Sequence, residues 1–172
     1  MSLVDFAFRL YAKRKMDRLR KQGLQIGEGS RLMSPGLVDT EPYLVSIGKH
    51  VSVAGGVRFM THDGATWVFR TQEKYKDVVK YGRITIHDNC LIGFNCILCP
   101  GVTIGPNAVV AAGSVVTQDV PAGTMVRGNP AKVVARIEDY ADYCLKTRID
   151  INPEAYARDK RTELLRFYPY PW

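Results

Sequence analysis

The chain has 172 residues, of which 46% are hydrophobic, and its formal net charge is +7. This length allows one ordinary domain with short appendages, and no apolar run approaches the ~18 residues of a membrane span. Asp5 and Arg9 interrupt the apolar start, so it does not fit a secretory signal. We therefore expect a cytosolic protein.

Residues 1–23 are predicted to form a basic N-terminal helix. Its amphipathic face is formed by Leu3, Phe6, Ala7, Leu10 and Tyr11. The first 25 residues contain seven basic and two acidic side chains, which account for most of the net charge. A solvated helix face is the simpler interpretation. The functional one is peripheral contact with the inner face of a membrane, and we expect no nucleic-acid partner.

The middle of the chain repeats with a period of six. Aliphatic residues recur at Ile86, Ile92, Leu98, Ile104, Val110 and Val116. Four residues after each come the smaller side chains of Cys90, Cys96, Val102, Ala108, Ser114 and Val120. An α-helix would scatter this pattern around its axis, because six residues rotate through about 600°. The period predicts short strands separated by corners and stacked in parallel around an aliphatic column.

The same pattern appears earlier, at Ile26 and Leu32 and again at Ile47, Val53 and Phe59. Its phase breaks twice. We therefore predict a bulge at residues 37–45 and an excursion loop at residues 65–83.

The C-terminal part differs from the repeat. Residues 131–148 are predicted to be helical, because Val133, Ile137, Tyr140 and Cys144 recur at spacings of three or four. The final residues, YPYPW, should be irregular because Pro169 and Pro171 exclude regular pairing.

The repeats, densest in residues 84–134, are followed by the motifs AGSVVTQDVP and GNPAK. The chain resembles the hexapeptide-repeat acyltransferases over residues 24–136, and within them the group of maltose, galactoside and capsular or exopolysaccharide O-acetyltransferases. The resemblance implies a mainly β fold: a left-handed parallel β-helix over residues 24–131, with a C-terminal helix and tail over residues 132–172. It also implies a homotrimer with active sites between subunits. Acetyl-CoA would be the acyl donor, no metal would take part, and a sugar, nucleotide-sugar or polysaccharide-precursor hydroxyl would be the acceptor.

Acyl transfer to a hydroxyl needs a base, and a histidine suits that role near neutral pH. The resemblance places His62, in the segment FMTHDG, at the catalytic position. Its neighbour Asp63 is expected to orient the imidazole or to bind substrate. Trp67 and His87 are further candidates for the acceptor site, although a packing role for Trp67 and a plain corner for His87 explain them as well.

The resemblance also assigns the coenzyme A residues. The backbone of Ala112 would meet the pantetheine arm, Thr117 and Gln118 match a family pair, and Lys132 would contact the phosphates. Phe94 stands where a small hydroxyl residue is common beside the thioester, and Gln118 where a second lysine is common.

Three alternatives remain open at this point. The acceptor group could be the amine of an amino sugar, or the protein could be a non-catalytic trimeric scaffold. A zinc enzyme of the γ-carbonic-anhydrase type would use three histidines, and the chain has three. However, His50 and His62, its two nearest, are farther apart than that family's closest ligand pair. Cys96 and Cys99 have metal-like spacing without a second pair, so we interpret the cysteines as small buried residues.

Overall fold

Short strands separated by tight turns fill the middle of the chain. The computed structural model describes residues 3–33, 38 and 40–171, with side chains from residue 10 onward. Within these residues the strands are β1 (Gln25–Ile26), β2 (Arg31–Leu32), β3 (Val45–Ile47), β4 (Ser52–Val53), β5 (Arg58–Phe59), β6 (Ile84–Ile86), β7 (Leu91–Ile92), β8 (Ile97–Leu98), β9 (Thr103–Ile104), β10 (Val109–Val110), β11 (Val115–Val116), β12 (Thr124–Gly128) and β13 (Ala131–Arg136).

The strands are arranged in three sheets that the chain visits in rotation. Sheet A contains β1, β3, β6 and β9; sheet B contains β2, β4, β7, β10, β12 and β13; and sheet C contains β5, β8 and β11. Among these strands, every pairing except that of β12 with β13 is parallel. The register pairs Ile86 with Ile104, Ile92 with Val110 and Leu98 with Val116. Each circuit of the three sheets therefore consists of three hexapeptides, and the predicted mainly β structure of stacked parallel strands is confirmed.

The core is the aliphatic column that the period predicted. All six of its repeat positions are at most 1% exposed, and the smaller residues that follow them are also buried. Burial of one such aliphatic side chain contributes about 1.5–3 kcal/mol. At the corners Asn89, Asn95 and Asn107 adopt φ values of 57°, 56° and 56°. Asn tolerates this left-handed conformation better than most residues, which explains its place between the strands.

The excursion loop lies where the sequence predicted it, between β5 and β6. It contains two 3-10 helices, Gly64–Val68 and Glu73–Tyr75. Backbone hydrogen bonds close its base: the Asp63 N–H donates to the Lys80 carbonyl at 2.9 Å, and the Gly82 N–H to the Thr61 carbonyl at 2.9 Å. The residues on either side of the loop are therefore held together.

The predicted bulge at residues 37–45 lies partly outside the described residues. Its described part includes Val38, which forms a parallel bridge with Phe59, and a 3-10 helix at Pro42–Leu44. The chain thus leaves and rejoins the sheets beside the end of β5.

A helix, α1 (Leu3–Lys21), precedes the first strand. The predicted apolar face falls partly outside the described side chains, and its remaining members, Leu10 and Tyr11, are exposed. Leu19 and Met16 instead contact the core. The reason is that the end of α1 turns directly into β1, with the Leu24 N–H donating to the Leu19 carbonyl at 3.0 Å. This contact brings the last turns of the helix, rather than the first, against the sheets.

The predicted helix over residues 131–148 was wrong in its first part. Residues 131–136 form β13, which pairs antiparallel with β12 at the end of sheet B. The unpaired backbone edge of β12 is satisfied in this way, and the β-branched Val133 and Val134 suit a strand. The helix α2 begins only at Ile137 and ends at Thr147.

The chain divides into two compact units, Met1–Ile137 and Glu138–Trp172. β13 therefore belongs with the parallel sheets. The second unit contains most of α2 and two further helices that the sequence did not predict, α3 (Pro153–Arg158) and α4 (Lys160–Phe167). None of the helices in the described part of the chain is long and apolar enough to cross a membrane.

Candidate active site

His62 lies just after β5, at the point where the chain leaves the sheets. Thr61 is fully buried, whereas the side chain of His62 is 45% exposed. This difference follows from extended backbone, in which successive side chains point to opposite faces. An isolated antiparallel bridge pairs His62 with Tyr81 at the far end of the excursion loop. The imidazole is thus attached to a fixed backbone while its ring remains open to solvent.

The imidazole of His62 contacts a buried carboxylate that the sequence analysis did not identify. Nδ1 of His62 lies 3.2 Å from Oε2 of Glu41. The Thr61 hydroxyl donates to the same oxygen at 2.5 Å, and the Thr40 hydroxyl donates to Oε1 at 2.5 Å. The Glu41 side chain is only 11% exposed. Two hydroxyl groups and the imidazole therefore hold this carboxylate in one orientation.

The environment of Glu41 favours its ionised form. Burial raises the pKa of this carboxyl group, but hydrogen bonds from Thr40, Thr61 and His62 lower it, and the resulting pKa lies below the ordinary value of 4.5. A carboxylate can only accept hydrogen bonds, so the proton of a neutral His62 lies on Nδ1. Nε2 of His62 is then the free basic nitrogen, as the role of general base requires.

Asp63 does not orient His62, so that prediction was wrong. Its Oδ1 accepts a hydrogen bond from the Ala65 N–H at 2.9 Å, and its Oδ2 lies 3.2 Å from Nζ of Lys80. The backbone bond from Ala65, followed by Lys80, lowers the pKa of Asp63. The carboxylate caps the first 3-10 helix of the loop and pairs with Lys80 near the loop's end, so it is not directed at the imidazole.

The excursion loop forms a cavity of about 390 Å³ beside His62. Trp67, which is 78% exposed, contributes to it together with Asp63, so the structure brings three predicted site residues together. The ring of Tyr81 lies 6.0 Å from the imidazole, centroid to centroid. The other lining residues were not predicted from the sequence; they are Gly64, Thr66, Arg70, Val79, Lys80 and Tyr81.

His87 lies elsewhere on the surface. It is exposed and follows β6, at a corner that leads from sheet A to sheet B. No hydrogen bond or cavity in the described part of the chain joins it to His62. Its place at the acceptor site stays a prediction, one that would need a second subunit.

Two of the predicted coenzyme A residues share a corner between sheets B and C. The Gly113 N–H donates to the Phe94 carbonyl at 2.7 Å, and the ring of Phe94 is 57% exposed. Gly93 lies against the next circuit, because a Cβ at this position would lie 2.5 Å from the Ala112 nitrogen. The backbone of Ala112 is therefore close to Phe94, on an open corner where an extended ligand could lie alongside.

The other predicted coenzyme A residues are on separate elements. Thr117 and Gln118 are exposed at the corner after β11, and Lys132 is exposed on β13, directly opposite Arg127 on β12. Within the described residues, no hydrogen bond, ion pair or shared cavity joins any of them to His62. Their roles stay predictions.

The four cysteine residues differ in burial, and Cys99 is half-buried. Cys90 and Cys96 are buried, and their thiols donate to the Gly105 and Ala111 carbonyls at 3.1 Å each. Burial raises the pKa of both thiols. The predicted packing role is confirmed for these two, whereas Cys144 on α2 is exposed. In the part of the chain that the structure describes, no three His, Cys, Asp or Glu side chains are grouped so as to hold a metal ion.

Comparison with known proteins identifies the family. A family model described as the hexapeptide repeat of succinyl-transferase matches residues 83–118. Protein CapG from Staphylococcus aureus is 48% identical over 139 residues, which cover 76% of this chain and 80% of that protein. The chain belongs to the hexapeptide-repeat acyltransferase family.

Further relatives of this hexapeptide-repeat protein are acetyltransferases. A 2,3,4,5-tetrahydropyridine-2,6-dicarboxylate N-acetyltransferase from Staphylococcus aureus (strain bovine RF122 / ET3-1) is 51% identical over 59 residues, 34% of this chain and 25% of that protein. A hexapeptide-repeat-containing acetyltransferase from Vibrio cholerae has a crystal structure with a TM-score of 0.56 and 26% identity, covering 79% of this chain and 94% of that one. That acetyltransferase was also crystallised in complex with acetyl coenzyme A. The present chain is thus an acetyltransferase of the family.

Proposed function

We propose that this protein transfers an acetyl group from acetyl-CoA to a hydroxyl group of a sugar or polysaccharide precursor, with His62 as the general base. One observation carries the proposal. A histidine whose Nδ1 lies 3.2 Å from a buried carboxylate opens onto a cavity that Trp67 and Tyr81 line. This arrangement supplies a base with a fixed tautomer and flat apolar surfaces for an acceptor.

The chemistry follows from the orientation of the imidazole. Nε2 of His62 removes the proton of the acceptor hydroxyl as the oxygen attacks the thioester carbonyl carbon. The positive charge that forms on the ring is stabilised by Glu41, which remains ionised. When the carbon–sulfur bond breaks, the imidazolium returns the proton to the departing thiolate. The products are an acetyl ester and free coenzyme A, and the enzyme recovers its starting state.

The acceptor site is proposed for a sugar because of its aromatic surfaces. The rings of Trp67 and Tyr81 can contact the C–H face of a pyranose while neighbouring polar groups bind its hydroxyls. Asp63 and Lys80 also line this cavity, but they form an ion pair with each other. Asp63 and Lys80 therefore contribute less to acceptor binding than the aromatic residues do, as long as their ion pair stays intact.

The donor site is proposed to lie between subunits of a homotrimer, each subunit being a left-handed parallel β-helix. Within a single chain, no described contact joins His62 to the predicted coenzyme A residues. In a trimer, a neighbouring subunit could bring its own copies of these residues to His62. They are Phe94, Ala112, Thr117, Gln118 and Lys132. Leu91 and Phe94 are exposed on the sheets and their corner, as an interface would require. The expected location, in the cytoplasm or at the inner face of the membrane, stays a prediction.

N-acetylation of an amino sugar is the second candidate. The identity of 51% to an N-acetyltransferase over 59 residues favours it. The buried Glu41 favours the hydroxyl acceptor. A neutral amine attacks without prior proton removal, whereas a hydroxyl gains more from a base that is supported by a carboxylate.

The test is release of thiol from acetyl-CoA against a panel of monosaccharides, oligosaccharides and nucleotide-linked sugars. We expect one sugar class to accelerate release and to gain one acetyl group by mass spectrometry. Mild alkali should remove that group if it is an ester, and an alkali-stable product would establish the amide instead. If no acceptor stimulates release and millimolar acetyl-CoA leaves Tm unchanged, the protein is a scaffold rather than an enzyme.

A further inference from the structure

A second cavity lies between α1 and the segment that precedes β3. Its volume is about 580 Å³. The described residues that line it are Tyr11, Arg14, Lys15, Arg18, Leu19, Gln22, Val38 and Thr40, here called the α1 groove. None of them belongs to the cavity of the excursion loop, so the α1 groove is a separate site.

The α1 groove concentrates positive charge. Arg14 and Arg18 are four residues apart and therefore lie on the same face of the helix, next to Lys15. The groove's described lining includes no carboxylate. Guanidinium groups bind phosphate oxygens through paired hydrogen bonds, which makes two arginines and a lysine in one groove a suitable phosphate site.

The shape of the α1 groove also distinguishes it from an ordinary solvated helix face. Leu19 is buried and Lys15 is half-buried, with its Nζ 5.8 Å from the centre of the Tyr11 ring. Tyr11, Gln22 and Thr40 add hydroxyl and amide groups to the lining. The cations thus surround a concave space with polar groups and an apolar residue, instead of extending separately into solvent.

We propose that the α1 groove binds a phosphate or diphosphate group, from an activated sugar or from a lipid headgroup. The groove adjoins the pair formed by Glu41 and His62 through Thr40, which lines it and donates a hydrogen bond to Oε1 of Glu41 at 2.5 Å. A ligand in the groove would therefore lie next to the residues that hold the base. The binding itself does not depend on the acetyl-transfer reaction and is measurable without it.

The test is isothermal titration calorimetry of the full-length protein with inorganic pyrophosphate at low salt. The variant Arg14→Ala/Arg18→Ala removes two cations from the groove. The control Arg20→Ala/Lys21→Ala removes two cations from the same helix at positions that are not part of the groove's described lining. We expect the wild type and the control to bind alike and the groove variant to lose about tenfold or more in affinity, because two charge-assisted contacts are lost.

Three results would overturn the proposal: no pyrophosphate binding by the wild type, an equal loss in both double variants, or an unchanged affinity in the groove variant. Arg14 and Arg18 are exposed, so we expect both variants to keep the wild-type Tm. If the groove variant fails to fold, Arg18→Ala alone, with Arg20→Ala as its control, replaces it.

Sedimentation with vesicles of phosphatidylserine and phosphatidylcholine separates the two phosphate sources. Sedimentation that pyrophosphate inhibits, and that the groove variant lacks, would identify a lipid headgroup as the ligand. Pyrophosphate binding without sedimentation would identify a free phosphorylated ligand. A third outcome would contradict the proposal. The protein would not bind pyrophosphate, and it would sediment with the vesicles equally well with pyrophosphate present or with the groove variant. This result would show general membrane adhesion.

Discussion

The stretch from β6 to β11 and the stretch from Val38 to the end of the excursion loop share the same sheets but differ in regularity. In the first, every sixth residue is buried and each circuit takes three hexapeptides. In the second, the circuits are interrupted, and the interruptions place Glu41 in contact with His62, which lines a cavity together with Trp67. The regular circuits thus supply a rigid frame, and the departures from the repeat supply the side chains of the candidate site.

The largest expected effect comes from breaking the regular stretch. Leu98 is fully buried in the aliphatic column. Leu98→Ala should lower the free energy of unfolding by about 2–5 kcal/mol, because parallel circuits above and below prevent the cavity from collapsing. Denaturant titration measures this loss. Val134→Ala serves as the control, since it removes an exposed aliphatic side chain from β13 and should cost much less. Equal losses would show that the column is not the core.

A substitution in the interrupted stretch should affect chemistry without affecting the frame. His62→Ala is expected to lower kcat by about a hundredfold or more, as for the loss of a general base, while Tm stays near the wild-type value. Steady-state kinetics and thermal unfolding measure the two quantities. The control is His50→Asn, at an exposed corner where φ is 54° and Asn is tolerated. Unchanged turnover in His62→Ala would remove His62 from the mechanism.

Glu41 belongs to the interrupted stretch, where it is buried and contacts the imidazole of His62. Glu41→Gln keeps the shape of the side chain and removes its charge, so the imidazolium loses its stabilising partner. We expect kcat to fall by at least about tenfold and by up to about 10⁴-fold, because the amide can also hold the imidazole in the wrong tautomer. Asp63→Asn is the matched control, since Asp63 is the acidic neighbour of His62 in the chain and its carboxylate contacts Ala65 and Lys80 instead of the imidazole. A larger loss in Asp63→Asn than in Glu41→Gln would reverse the assignment of the orienting carboxylate.

Glu41 also predicts a pH dependence of stability. Its pKa in the folded state lies below the ordinary value of 4.5. A carboxyl group with a lowered folded pKa stabilises the protein above its unfolded pKa, and this contribution is lost as the pH falls through the folded value. The difference in unfolding free energy between the wild type and Glu41→Gln should therefore diminish below about pH 4.5. A constant difference from pH 7 to pH 3 would contradict it.

The difference between the regular and the interrupted stretch also determines which residues could be predicted from the sequence. The column from Ile86 to Val116 was predictable residue by residue, because one period determines both strand position and burial. Glu41 was not, since its place beside His62 depends on how an irregular segment rejoins the sheets. Val38 forms a parallel bridge with Phe59. Three residues further along each segment, Glu41 lies opposite His62 and contacts it. This alignment follows from the length and path of the bulge, and no local pattern in the sequence reveals it.

The C-terminal error has a related cause. Local spacing in residues 131–136 suits a helix as well as a strand, and the outcome depends on the free edge of β12, which is a tertiary feature. His62 was identified through family resemblance to its motif. The residue spacing alone showed only that it precedes a break in the repeat.

The smallest expected effect concerns Lys132, at the end of the frame where β12 and β13 pair. Lys132 on β13 lies directly opposite Arg127 on β12, and two like charges in this position destabilise an antiparallel pair. A shared anion would relieve the repulsion, which supports the prediction that Lys132 contacts the phosphates of coenzyme A. Lys132→Ala should raise KM for acetyl-CoA several-fold with little change in kcat, because the contact is remote from the reacting thioester.

Lys49→Ala is the control for Lys132→Ala, since it removes an exposed lysine at the corner between β3 and β4. KM for acetyl-CoA should not change in that variant. If Lys132→Ala lowered kcat while KM stayed constant, Lys132 would act at the reacting end rather than at the phosphates. The donor would then lie in the opposite direction along the frame. Lys132→Ala could instead leave kcat and KM unchanged and raise Tm. The repulsion between Lys132 and Arg127 would then be one that no ligand relieves, and another basic residue would have to contact the phosphates.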